Sequence, residues 1–367
     1  MGLPWLLVVT RFIWPLQLPL WAKIVLAVLL LIASQYHFWS RLSSGSMFSP
    51  EFPRPAIILF NWAFGAIIFV ALMQVLLDAA TLLAMLVQGG SVSVPDGVRY
   101  AIGAIAAVLA AIGVHQAVRV PPVKDIEIAI PGLAPSFDGY KLLQLTDLHI
   151  SKLFPARWTR AVVERSNGLG VDLIVVTGDL IDGALASRRA DVEPLRDLRA
   201  GDGVYVIPGN HEYFFNYRTW MDHYAEMGMR VLENDHAVLD RNGGQLVLVG
   251  VTDLSARQTG HVAPDLAAAI EGAPAGVAVI LLDHQPRNAQ RAAGQGVALQ
   301  LSGHTHGGMV IGLDRLAARA NNGYVSGRYA VEGMTLYVNN GTALWPGFAL
   351  RLGRPSELTR ITLRRAV

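Results

Sequence analysis

The chain has no cysteine. Disulfides, thiolate metal sites and a cysteine nucleophile are thereby excluded, while the redox compartment stays open. Charge is scarce as well: 16% of the residues are Asp, Glu, Lys or Arg, against roughly 25% in an ordinary soluble domain. The shortage is local. Residues 1–118 hold only a handful of charges, and nearly all the acids follow Pro121. There is no Lys/Arg run, and a formal net charge of +2 gives no footing for a nucleic-acid scaffold. Internal repeats and low-complexity tracts are missing too. Without thiols, any metal must be held by His, Asp, Glu or Asn.

What fills the first third is apolar sequence. A transmembrane helix needs about 20 mostly apolar residues, and three stretches qualify, near 19–39, 56–77 and 100–118. The first closes on Tyr36, Phe38 and Trp39, suited to a headgroup boundary, and its single charge, Lys23, lies where it can snorkel. The second is interrupted only by Asn61 and Gln74. Asp78 and His115 fall at or near span ends and are read as interfacial. The first seventeen residues, broken by Pro4 and Pro15, read as an interfacial segment, with a fourth span as the alternative. A cleaved signal peptide accounts for one such stretch and not for three. The expected organisation is a transmembrane region over 1–118, a linker and lead-in over 119–139, and a second domain over 140–367. Lys and Arg in the flanking loops favour, by a narrow margin, a cytoplasmic side for that domain.

After Pro121 and Pro122 short β-branched runs alternate with helical patterns. Strands are expected at 141–145, 173–177, 204–207, 246–251, 277–282 and 298–302. Helices are expected around 156–166, 192–198, 219–227, 264–270 and 286–293, with further strands at 335–339 and 358–363. Such alternation argues an α/β architecture. The informative residues follow the strands. Asp147-Leu148-His149 follows the first run, Gly178-Asp179 the second and Gly209-Asn210-His211-Glu212 the third. Asp283-His284 and Gly303-His304-Thr305-His306 follow two later runs. In open α/β sheets the strand C-termini converge on one ligand crevice, and five of the ten histidines land there. Each fragment alone is weak, but together they form one donor set. His223, His236 and His261 fall outside these turns and read as surface, and Asp283 as a turn or supporting residue.

In order and type, D-x-H, G-D, G-N-H-E, H and G-H-x-H, these residues resemble the calcineurin-like metallophosphoesterase superfamily. The likeness is greatest to the membrane-associated bacterial branch typified by YkuE and YaeI. It runs from about Asp125 to Leu363 and takes in Gly-Tyr-Lys at Gly139, GVYVIPGNHEY at 203–213, HQP at 284–286 and LQLSGHTHGG at 299–308. Two departures, Met309 and the stretch 339–350, are read as lying away from the ligands. The resemblance implies a four-layer α/β/β/α sandwich. It implies two divalent metal ions, with Asp147, His149, Asp179 and His306 on one and Asp179, Asn210, His284 and His304 on the other. Asp179 would bridge. His211 would lie off the metals and act on the phosphate or leaving oxygen, oriented by Glu212 or another acid.

The donor types suit that chemistry. A carboxylate can span two cations about 3.5–4 Å apart and offset their repulsion, and mixed imidazole and carboxylate suits Mn, Fe or Zn. Two cations lower the pKa of a shared water and clamp phosphoryl oxygens for in-line attack. The resemblance thus implies an integral protein of a bacterial inner membrane that hydrolyses a phosphodiester or pyrophosphate. Its partners would be the lipid bilayer and a phosphoester or pyrophosphate substrate; the apolar segments favour a lipid-linked one, with UDP-diacylglucosamine one candidate and other lipid phosphodiesters fitting equally. A phosphodiesterase on soluble nucleotides and a non-catalytic metal or phosphate sensor are the rival readings. The sequence carries no reading of oligomeric state.

Overall fold

The computed structural model describes residues 2–366 and divides the chain into two units. The first is Met1–Ala117 with Pro346–Leu352; the second is Val118–Trp345 with Gly353–Val367.

The first unit is helical. Two of its helices are long and apolar enough to cross a membrane, or three if a bent pair is one span. That pair is α1 (Leu20–Ser34) and α2 (Tyr36–Ser44), which meet at 51°. The stretch read as one span at 19–39 is therefore broken at Gln35. At the break the Ser34 hydroxyl donates to the Leu31 carbonyl and the Trp39 indole to the Ile32 carbonyl, adding to the bonds both accept from the Gln35 N–H. Helix α3 (Arg54–Gln88) starts with Pro55 in its first turn and stops at Gly89, whose φ of 67° ends the helix. At 35 residues it is about 50 Å long, well beyond a hydrocarbon core of about 30 Å. The run expected at 56–77 is only part of it. Helix α4 is Asp96–Val118.

Several buried polar side chains inside this unit are matched. Asn61 is buried; its amide donates to the carbonyls of Ile57 and Pro346, both at 2.9 Å, and accepts from the Ala349 N–H at 2.6 Å. Tyr36 is buried rather than presented to a headgroup boundary, because its hydroxyl donates to the Pro346 carbonyl at 2.9 Å. Asp78 accepts from Arg11 at 3.0 and 3.1 Å and from Gln74 at 2.8 Å. In an apolar setting an unmatched group of this kind costs several kcal/mol.

The second unit packs two six-stranded sheets face to face. The first runs β1 (Val123–Ile130), β12 (Leu358–Arg365), β2 (Lys141–Leu145), β3 (Leu173–Thr177), β4 (Val204–Ile207), β5 (Arg230–Val231). The second runs β10 (Gly327–Val331), β11 (Met334–Val338), β9 (Leu299–Ser302), β8 (Val279–Leu282), β7 (Gly244–Gly250), β6 (Asp235–Arg241). β2, β3 and β4 are parallel, as are β7, β8, β9 and β11. Alternation along each strand divides its apolar residues between two layers. Leu142, Val175, Ile207, Leu248, Ile280 and Leu301 fill the space between the sheets. Val247, Val249, Leu281 and Leu336 face helices Leu266–Ile270 and Ala289–Ala293 on the outside. On the other outer face lies α5 (Ala156–Asn167). Buried on both faces, the central strands read as continuous apolar runs. This is a four-layer α/β/β/α arrangement.

Stretch 119–139 is more than a linker: it supplies β1, paired parallel with β12 from Val123↔Leu358 onward. The helix expected at 192–198 comes earlier, as Leu185–Val192, and Pro194 lies in the tighter turn that follows it.

Candidate metal centre

Parallel pairing of β2 with β3 and β3 with β4 sends their C-terminal turns out of one edge, and β8 and β9 do the same in the second sheet. The turns lock onto one another. The Asp147 N–H donates to the Gly178 carbonyl at 3.0 Å, His149 to Asp179 at 3.1 Å and Gly303 to His284 at 3.0 Å. Gly178 has φ of 91° and takes a close approach; a Cβ there would lie within 2.7 Å of the Gly209 backbone and of His284 Nδ1. Asp147, His149, Asp179, His304 and His306 all have left-handed backbone, φ 52°, 44°, 54°, 68° and 51°. Such conformations cost about 1–3 kcal/mol each for side chains other than glycine and cluster at functional sites.

All eight residues singled out in the sequence meet in this crevice. Donor atoms of Asp147, His149 and His306 lie within 4.8 Å of one another, as do those of Asp179, His284 and His304. Asn210 joins the second group, its Oδ1 2.9 Å from His304 Nδ1 and 3.2 Å from His284 Nε2. Asp179 Oδ2 lies between the groups, 3.3 Å from His284 Nε2 and 3.9 Å from His149 Nε2. Its other oxygen accepts from the His211 N–H at 2.8 Å.

Hydrogen bonds around the rim fix which atoms point inward. His284 Nδ1 lies 2.7 Å from the Thr177 carbonyl, to which it donates, so its Nε2 presents a lone pair. Asp182 holds two histidines by Nδ1: one oxygen lies 3.1 Å from His149 Nδ1, and the other holds His211 Nδ1 in a short contact. His149 Nε2, left as an acceptor, faces His306 Nε2 at 3.3 Å. Lone pairs of two carboxylates, imidazoles and an amide oxygen thus converge, an arrangement that repels itself unless cations sit among them. The donor set fits two divalent ions without thiolate, as Mn, Fe or Zn accept.

The buried charges act on one another. Burial pushes Asp147 up, with Asp179 adding to it and His284 and His149 opposing. Burial also opposes ionisation of Asp179, but His284, His211 and His149 hold it well below the usual carboxylate range. His211 loses stability as a cation through burial, yet Asp179 and Asp182 raise it to about 9. Burial and the neighbouring His284 push His304 down to about 3.

Asp182 was not legible as a site residue, although its place three residues beyond Asp179 in one turn is a usable signal. Glu212 does not orient His211. Its carboxylate instead accepts from the N–H groups of Gly209 at 2.7 Å, Leu180 at 2.8 Å and Asp179 at 3.1 Å, clamping two turns together. The stretch after β11, expected to lie away from the ligands, touches them. Ala343 N–H donates to the Asp147 carbonyl at 2.9 Å, and Gly341 packs on Asp147 and His306. Asp283 is buried outside both donor groups, where burial and Asp253 raise it to about 8. His261 is exposed as expected, His236 is half-buried with Nδ1 2.9 Å from the Ala269 carbonyl, and His223 is buried beside Trp220 rather than on the surface.

Residues 140–308 match the calcineurin-like phosphoesterase family model. A transmembrane protein with metallophosphoesterase domain from Danio rerio is 35% identical over 272 residues, covering 71% of this chain and 62% of that protein. A Bos taurus protein of the same name is 34% identical over 275 residues, covering 71% of this chain and 61% of its own length. This chain therefore spans about three fifths of those vertebrate relatives. The uncharacterized metallophosphoesterase YkuE of Bacillus subtilis is 30% identical over 235 residues, covering 62% of this chain and 80% of that protein. On these matches and this donor set, the chain belongs to the calcineurin-like phosphoesterase family.

Proposed function

We propose that the protein is a membrane-anchored, metal-dependent phosphoesterase that hydrolyses a phosphodiester or pyrophosphate, with a lipid-linked ester such as UDP-diacylglucosamine as the finer reading. The observation that carries the hydrolytic part is Asp179 Oδ2 lying between two groups of inward-facing acceptors. Asp147, His149, Asp179 and His306 would hold one ion, and Asp179, Asn210, His284 and His304 the other. When bound, two divalent ions supply Lewis acidity to the phosphoryl oxygens and lower the pKa of a shared water. The remaining work belongs to the chain. Asp182 holds His149 in the tautomer that presents Nε2, and holds His211 through Nδ1. His211 Nε2, 3.9 Å from Asp179 Oδ2, is then placed to give its proton to the leaving oxygen as the P–O bond breaks. Water supplies the oxygen of the new P–O bond, and its released proton returns His211 to the cation. Help of that kind is typically worth ~10²–10⁴-fold.

Apolar helices in the same chain support membrane anchoring, and the balance of Lys and Arg supports a cytoplasmic catalytic unit at a bacterial inner membrane. The test is turnover by the detergent-solubilised full chain, with Mn²⁺ and after chelation, on a monoester, a soluble nucleotide diester, a lipid diester and a lipid pyrophosphate. The reading expects metal-dependent hydrolysis with preference for a lipid-linked member. Preference for the soluble nucleotide removes the lipid part, and no metal-dependent hydrolysis of any member removes the whole reading.

A further inference from the structure

Five large apolar side chains are exposed on the second unit among the described residues: Phe214, Val262, Ile311, Leu313 and Leu316, from 38% to 73% accessible. Single exposed apolar residues are ordinary, but a cluster is not. All five belong to the end of the sandwich that holds the donor groups. The Phe214 ring lies 5.2 Å from that of His211. Val262 follows His261, whose ring packs on Tyr213 and Tyr217 at 5.5 and 4.8 Å, and its carbonyl accepts from Thr252 just beyond β7. Ile311, Leu313 and Leu316 lie on the excursion that leaves His306. This excursion is pinned by close packing of Gly308 on the Asp314 backbone and by the Arg354–Asp314 ion pair at 2.6 Å. The loops at the other end of the sandwich, 131–132, 272–277, 294–296 and 332–333, carry no exposed large apolar side chain among the described residues.

Charge on the same loops leans basic, although Asp265 is also exposed. Arg257, Arg315 and Arg319 are exposed. The carboxylates beside them are engaged: Asp253 is buried on Gln285, Asp265 caps Leu266–Ile270, and Asp314 holds Arg354. The rim is therefore aliphatic and cationic around a phosphoester centre. A nucleobase would call for stacking faces and buried hydrogen-bond partners, and here four of the five side chains are aliphatic with one aromatic ring.

We infer that this rim seats the acyl chains of an anionic lipid phosphoester while its phosphorus enters the metal centre, so that Phe214, Val262, Ile311, Leu313 and Leu316 set substrate class. The inference rests on the phosphoesterase reading and deepens it. The bond broken is a P–O ester; water supplies the new oxygen, His211 protonates the leaving alcohol, and a proton from that water restores His211.

The test uses the full chain in dodecylmaltoside with Mn²⁺. Hydrolysis of a dioleoyl phosphodiester lipid in mixed micelles is compared with that of its water-soluble dibutyryl analogue, for the wild type and for Ile311→Ser/Leu313→Ser/Leu316→Ser. The inference expects the long-chain to short-chain ratio of kcat/KM to fall about tenfold or more in the variant, as loss of several buried methylenes implies. A second readout needs no turnover. Dioleoyl phosphatidic acid carrying an acyl-chain diazirine is photolysed on the protein, and adducts are mapped by mass spectrometry. Adducts are expected on peptides holding residues 309–320 and Phe214. An unchanged ratio, or adducts confined to residues 2–118, overturns the inference. Metal-dependent hydrolysis of the short ester by the wild type separates these outcomes from failure of the phosphoesterase reading, and in its absence the labelling alone decides the rim.

Discussion

His211 and His304 sit in one crevice and differ in what holds them. His304 faces Asn210 Oδ1 through Nδ1, whereas His211 is bound through Nδ1 to Asp182. Replacing each by alanine should therefore fail in different ways. His304→Ala should weaken one metal, and added Mn²⁺ should partly restore turnover. His211→Ala should keep both metals and lose ~10²–10⁴-fold in kcat, with a smaller loss on p-nitrophenyl esters than on alkyl esters, whose leaving group needs the proton. Metal loss in His211→Ala would reverse these assignments. The charge logic adds a pH signature. Asp179 and Asp182 raise His211 to about 9, so its protonated form persists through neutrality and is lost as pH rises. Cations on Asp179 offset part of that pull. The kcat for alkyl esters should fall along a limb below pH 9 that is missing in His211→Ala. Asp182 orients two imidazoles at once, and Asp182→Asn should cut metal affinity and kcat/KM by about 10–100-fold each. Full retention of metal binding by that variant, measured by competition with a chelating dye, would show that His149 needs no such partner.

Turns, rather than strands, carry the donors, and they are the strained elements. Five donor residues have left-handed backbone, and Gly178 is the point where the β3 turn touches the β4 turn and His284. Gly178→Ala would bring a Cβ into the Gly209 backbone and also require φ of 91°. It should destabilise the second unit by at least about 1–3 kcal/mol and lower metal affinity together with Tm. A thermal shift unchanged both with and without Mn²⁺ would count against this packing. The same elements explain what could be read from sequence. Strands β2, β3 and β4 are short, apolar and followed at once by Asp147, Asp179 and Asn210, so period and chemistry announced them together. β1 escaped because three of its eight residues are charged, Lys124, Asp125 and Glu127; the alternation of 125–130 is real, but the two acids on its exposed face obscured it. β5 is two residues long and has no periodic signal at all. β6 is half exposed, and β10 starts from a left-handed glycine, so both read as loop. Asp182 was hidden because only folding brings the β3 turn against His149 and His211. His223 looked like a surface residue because helix Tyr217–Glu226 is polar in sequence, while its inner face packs Trp220, Met221 and Tyr224.

At the scale of the molecule, the sequence order does not respect the units. Pro346–Leu352 follows β11 of the sandwich yet belongs to the helical unit. There Asn61 and Tyr36 satisfy its backbone, Phe348 packs on Phe64 at 5.9 Å, and Gly65 and Gly113 leave the room that Leu350 fills. A chain cut after residue 117 would leave Phe348 and Leu350 without that packing. Such a fragment should associate in solution, and Phe348→Ser/Leu350→Ser in the same fragment should elute as one species by size exclusion. A monodisperse unsubstituted fragment would contradict this. Metal content and turnover, read on one sample, test whether two ions bridged by Asp179 make this a phosphoesterase. Apo full-length protein is titrated with Mn²⁺ while bound metal is read by mass spectrometry and hydrolysis of bis(p-nitrophenyl) phosphate is followed. Activity should rise to a plateau at two ions per chain, with no plateau or activity in Asp179→Asn, which should hold one ion or fewer. Two ions bound in Asp179→Asn, or wild-type turnover that survives complete removal of metal, would contradict it.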